Sequence, residues 1–146
     1  MKRLMGPLAA GFLLFLAPPA ALSQPSTDVV DVKAKTQAVF PVVIADGKIA
    51  LGRARIVPLG SLQARDGEIA VQIDSPGLTP YAKVHIVEKT AVPIDFVATG
   101  LIGSIKIDEI IICGRLDQPI ETSIAAGSLR ISLNRFEVGK GAEACQ

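Results

Sequence analysis

Residues 68–74 read EIAVQID, with apolar side chains recurring at alternate positions. Successive side chains on a strand point to opposite faces, so Ile69, Val71 and Ile73 share one face while Glu68, Gln72 and Asp74 share the other. This period of two, and not the 3.6 of a helix, governs the chain beyond its first two dozen residues. Residues 128–138 repeat it, with Leu129, Ile131 and Leu133 opposite Arg130, Ser132 and Asn134. Further strands are expected over 39–45, 48–57, 82–89, 92–98, 104–108, 109–115 and 119–125. No window of a dozen residues carries an apolar stripe at helical spacing. Asp46-Gly47 and Asp66-Gly67 each precede an apolar segment, and Asp-Gly favours the positive φ of a tight hairpin turn. The fold class is therefore all-β: a single antiparallel β-sandwich, immunoglobulin-like or similar, of about seven to nine strands, with a small β-barrel as the alternative. Its expected core includes Ile69, Val71, Ile73, Val84, Ile86, Ile110, Ile112, Ile131 and Leu133.

The first 23 residues obey a different grammar. Lys2 and Arg3 precede the apolar run LAAGFLLFLA, and Pro18 and Pro19 then lead to the small residues Ala20, Ala21 and Ser23. This order is that of a cleaved secretory signal, with cleavage before Gln24 preferred and cleavage after Ala20 or Ala21 as alternatives. Counted over residues 4–17, the run has 14 residues, short of the ~20 that span a bilayer core as a helix. No cysteine follows it as a lipid attachment point. Residues 24–36 form either a flexible leader or a first edge strand, and 37–146 the β domain. Without Lys2 and Arg3 the chain has 13 basic side chains against 14 acidic ones, which removes the basis for electrostatic attraction to a membrane surface. With 4% aromatic residues, the same balance excludes nucleic acid as a partner, because phosphates call for excess cations and bases for stacking rings. Five Phe, one Tyr and no Trp likewise leave too few rings for the two girdles of a membrane β-barrel.

An exported chain meets an oxidising compartment, where Cys113 and Cys145 are expected to join as one structural disulfide. The 31 residues between them are far from the C-x-x-C spacing of a redox dithiol. Residues 105–116, IKIDEIIICGRL, are the most apolar part of the mature chain. Ile110, Ile111 and Ile112 in succession put bulk on both faces, as in a central strand covered on each side. The competing reading is an exposed adhesive strand.

The inventory for chemistry is thin. His85 is the sole histidine, so a three-histidine metal site is excluded, and its alternation with Val84 and Ile86 makes it a surface residue beside Lys83. A hydrolase would need His85 to activate a serine and be oriented by an acid such as Asp95, yet no serine lies in a G-x-S-x-G elbow. Asp108 and Glu109 are adjacent and so face opposite ways on a strand, which prevents them from flanking one glycosidic bond. Gly100 and Gly103 lack the lysine of a phosphate loop and read as a bend between strands. Arg53 and Arg55, placed on one face of the expected strand 48–57, and Arg65 in the next loop form a candidate binding surface for an acidic partner. No metal, cofactor or catalytic constellation is expected. The leading reading is an exported, periplasmic or secreted, non-enzymatic β-domain that binds another envelope or extracellular macromolecule, as an inhibitor, chaperone or assembly subunit. The alternatives are a periplasmic carrier of small apolar ligands and a hydrolase whose Ser, His and Asp meet only in three dimensions.

Overall fold

Alternating segments become strands throughout a computed structural model that describes residues 28–74, 81–116, 118–125, 130–141 and 145. The expected signal, Ser75, Ser128 and Leu129 lie outside the described residues. Ten strands are present among the described residues: β1 Val30–Lys33, β2 Thr36–Ala45, β3 Lys48–Leu51, β4 Arg55–Pro58, β5 Glu68–Ile73, β6 Tyr81–Glu88, β7 Ile94–Ile102, β8 Ile105–Ile112, β9 Ile120–Ala125 and β10 Arg130–Val138. They form two antiparallel sheets. The first has the order β1-β10-β7-β8; the second, curled into a half-barrel, has the order β3-β2-β5-β6-β9, with β4 also paired to β2.

Register explains the core. Ala38, Val71, Ile86 and Ile120 stand in one cross-strand row of the second sheet, and Phe40 faces Ile69 in the next. These inner residues meet Val30, Val32, Ile94, Phe96, Ala98, Ile112, Ile131 and Leu133 from the first sheet. All the expected core residues are buried except Ile110, which is only partly buried against the cluster. Alternation alone would turn Arg135 inward. A bulge between Asn134 and Glu137, with Arg135 at φ 54°, instead sends the arginine outward and seats Phe136 between Phe40 and Phe96, at ring centroid distances of 5.8 and 5.2 Å.

The turns follow their residues. Asp46 and Gly47 both have positive φ, the conformation of a two-residue hairpin, and join β2 to β3. Asp66-Gly67 does not form the expected hairpin: only Gly67 is left-handed, the Glu68 amide donates to Arg65 O, and the turn feeds β5 into the sheet beside β2. Gly103 lies in the two-residue connection between β7 and β8, as the bend reading required, whereas Gly100 sits within β7.

Two strand assignments change. The expected strand 48–57 breaks at 52–54, because the Gly52 backbone closes on Pro41: its amide donates to Pro41 O, and a Cβ on Gly52 would collide with the proline ring. Segments 104–108 and 109–115 merge into the single strand β8, with Ile107 as an extra residue between the pairs Gly100–Asp108 and Leu101–Lys106.

The ends of the core are fastened by polar groups. Cys113 and Cys145 are joined, with Cα atoms 5.7 Å apart. Beside the bridge, Asp95 Oδ1 accepts from the Gly114 amide at 2.9 Å. Glu88 is 3% exposed, and its Oε1 accepts from the Thr90 hydroxyl at 2.6 Å and the Ile94 amide at 2.7 Å. Burial pushes its carboxyl above the usual glutamate range, although these hydrogen bonds oppose the rise.

Candidate functional site: an open edge strand

The isoleucine-rich segment is not the central strand that its bulk implied. β8 is the last strand of its sheet and, among the described residues, pairs with β7 alone. Its inward side chains, Ile110 and Ile112, pack on the core, but Ile105 is 67% exposed, Ile107 37% and Ile111 63%. Ile102 across the hairpin extends the apolar surface. A run of isoleucines therefore reported one covered face and one bare face, and composition alone cannot distinguish that from two covered faces.

The free edge of β8 faces the outer strand of the other sheet. The Ala125 amide of β9 donates to Asp108 Oδ2 at 2.9 Å, so a side chain holds the seam at that point. Farther along, a cleft of about 250 Å³ separates Ile111, Ile112 and Arg115 from Ile120, Glu121 and Thr122. Devices that guard an edge are confined to the first half of β8, which has Lys106, the bulge at Ile107 and the inward Asp108. The stretch from Glu109 to Ile112 is regular and pairs with β7 without interruption. Beside it, Glu109 binds Lys106 and Arg135, each at 2.8 Å, and hydrogen bonds from those two cations pull its carboxyl down to about 2.

The arginines Arg53, Arg55 and Arg65 are exposed, but not on one face of a single strand. Arg53 lies in the break at 52–54, so it shares no strand face with Arg55. Arg55 is bound to Glu68 at 2.8 Å, and Arg65 offers the same carboxylate its backbone amide at 3.0 Å. Burial raises the Glu68 carboxyl, but the Arg65 amide and then the Arg55 hydrogen bond outweigh it, and the net direction is down. The local carboxylate thus answers part of the positive charge.

His85 faces outward, as its alternation with Val84 and Ile86 specified, but is half-buried there and not fully on the surface. Its partners were not apparent from sequence: Nε2 lies 2.9 Å from Asp74 Oδ2, and Nδ1 lies 3.6 Å from Glu121 Oε2. Asp95 is in the other sheet, occupied with the amides of Gly114 and Lys140, so the structure does not bring these two together. Among the described residues no cluster of three His, Cys, Asp or Glu is placed to hold a metal ion.

No family model, curated protein or solved structure matches this chain. The reading of function therefore rests on the physical chemistry of its own surfaces.

Proposed function

We propose that the chain is an exported, non-enzymatic β-domain, periplasmic or secreted, that binds another envelope or extracellular protein by adding an extended segment of that protein to the edge of β8. The observation that carries this reading is the regular, unpaired edge from Glu109 to Ile112, with Ile111 bare beside it. Main-chain groups on such an edge supply hydrogen bonds to any extended partner, and exposed apolar side chains select one with complementary residues. The disulfide, and the lack of any helix among the described residues long and apolar enough to cross a membrane, are compatible with export.

A carrier of small apolar ligands has less support. The clefts at the seam and beside Arg135 are each about 250 Å³, below the ~300 to 1,000 Å³ of ordinary ligand sites, and both lie open at the surface.

The test is mild crosslinking in the cells that make the protein, followed by recovery of the mature chain with whatever protein it holds. Ile111→Lys is expected to lose the partner, while Val43→Lys, at a residue 58% exposed on the other sheet, keeps it. Equal recovery by the wild chain and Ile111→Lys overturns the proposal.

A further inference from the structure

At the end of β6 the strand turns a carboxyl, and not a hydrocarbon, toward the core. Glu88 follows Val84 and Ile86 at the inward positions, stands across from Ile69 of β5 and is almost wholly buried. Its Oε1 lies 2.6 Å from the Thr90 hydroxyl and accepts from the Ile94 amide at 2.7 Å. The Arg115 amide is near enough to favour the charged form, yet Oε2 is buried and closes no hydrogen bond of good geometry. The same Thr90 hydroxyl lies 2.8 Å from Val92 O.

A threonine hydroxyl has one hydrogen, and Val92 O can only accept. A length of 2.6 Å suits a hydroxyl beside a carboxylate or beside a carboxylic acid, so the second contact decides. If Glu88 is ionised, Thr90 must give its hydrogen to Oε1, and Val92 O then faces a bare hydroxyl oxygen at 2.8 Å. If Glu88 is an acid, its own hydrogen fills the short contact in the reverse direction. Thr90 is then free to donate to Val92 O, and Oε1 keeps a lone pair for the Ile94 amide. Only the acid supplies one hydrogen to each contact. An Oε2 without a partner also costs less on a neutral carboxyl than on a buried charge. We infer that Glu88 is a proton-operated lock on residues 89–93, a crossing from the second sheet to the first: as an acid it donates to Thr90, which donates to Val92 O, and ionisation releases Val92.

The surroundings offer the charged form no cation. Among the described residues, Glu68 of β5 is turned to Arg55, Lys89 and Arg115 are exposed, and Asp95 of β7 adds a second negative charge, itself fixed by the Gly114 and Lys140 amides. Burial is the largest influence on the Glu88 carboxyl and raises it, Asp95 raises it further, and the hydrogen bonds only partly oppose them. The folded chain thus holds a proton that the unfolded chain releases in the ordinary glutamate range. The lock is closed below that range and opens as pH rises through the raised value. Arg115, whose amide adjoins the lock, also lines the cleft at the β8–β9 seam, so the lock and the cleft share one end of the domain.

This inference goes beyond the binding role of β8, and its test needs no partner. Carbon NMR of the uniformly labelled mature chain follows two signals across a pH titration, the Glu88 side-chain carboxyl, assigned by its absence in Glu88→Gln, and the Val92 main-chain carbonyl. The Glu88 signal is expected to keep the position of a protonated acid beyond the pH at which free glutamate has ionised. Any later change should be matched by a shift of the Val92 carbonyl with the same midpoint, as its hydrogen bond is lost. Glu88→Gln should hold Val92 in the bonded position at every pH, because the side-chain amide donates to Thr90 as the acid does. Thr90→Val should leave it in the released position at every pH, and Thr90→Ser, which restores the hydroxyl, should behave as the wild chain. A Glu88 carboxyl that ionises together with free glutamate overturns the inference. So does a Val92 carbonyl that ignores Thr90→Val or still titrates in Glu88→Gln.

Discussion

Ile111 and Ile112 are covalent neighbours of the same residue type, and the structure assigns them opposite energetic roles. Ile112 is 2% exposed and stands across from Phe96 in the β7–β8 register, whereas Ile111 is 63% exposed beside Val97. Replacing Ile112 with alanine removes three buried carbon groups, a transfer loss of about 2.4 kcal/mol at ~0.8 per group. The unfilled space adds to this, giving about 3 kcal/mol, in the lower part of the ~2 to 5 range because an edge strand can partly close the gap. Ile111→Ala surrenders only the covered third of its side chain and opens no cavity, so its cost is under ~1 kcal/mol. Urea denaturation of the oxidised protein, followed by circular dichroism, separates the two. For a slope of about 1.5 kcal/mol per molar, Ile112→Ala should lower the midpoint by about 2 M with the slope unchanged, and Ile111→Ala by under ~0.7 M. Equal midpoints, or a larger loss for Ile111→Ala, would refute the strand phase and with it the assignment of an exposed face to β8.

Three further outcomes are expected. Because burial raises the Glu88 carboxyl, its contribution is fully present below the ordinary glutamate range and is lost as pH rises through the raised value; Glu88→Gln should therefore gain stability relative to the wild chain between pH 4 and 8, measured as paired urea midpoints. Replacing Cys113 and Cys145 with serine should cost up to about 3.7 kcal/mol on the chain-entropy account while leaving the far-ultraviolet dichroism of a β protein intact. Gly114→Ala places a Cβ against the Ile94 backbone; a clear fall in the thermal midpoint is expected, with thiol labelling reporting whether the adjacent bridge still closes.

Sequence patterning revealed faces better than neighbours. Alternation in 68–74 and 82–88 identified the buried set because the side-chain period of a strand is a local property. Asp46-Gly47 announced its hairpin for the same reason, since the positive φ is a demand on two residues alone. The pairing of Cys113 with Cys145 was expected from the even cysteine number together with the oxidising compartment that the reading of residues 1–23 implied. By contrast, the break at Gly52 depends on the Pro41 ring across the sheet, and the bulge that turns Phe136 inward depends on the space between Phe40 and Phe96. His85 meets Asp74 and Glu121 only because two registers bring them together from 11 and 36 positions away. The bare face of β8 was hidden by similar logic: local pattern shows which side chains are apolar, but sheet order decides whether anything covers them.

The pairing of β1 with β10 has a consequence for when this molecule can become itself. Val30 opposes Leu133 and Val32 opposes Ile131, so one of the earliest strands to leave the ribosome waits for nearly the last. No local hairpin can stand in for that contact. Closure of the first sheet belongs to the slow class of folding events, in which chain entropy must be overcome before distant strands reward it. Until residues 130–133 emerge, Val30 and Val32 lack the strand with which they pair. The order of its strands thus acts as a timer, postponing closure of the first sheet until β10 has been made.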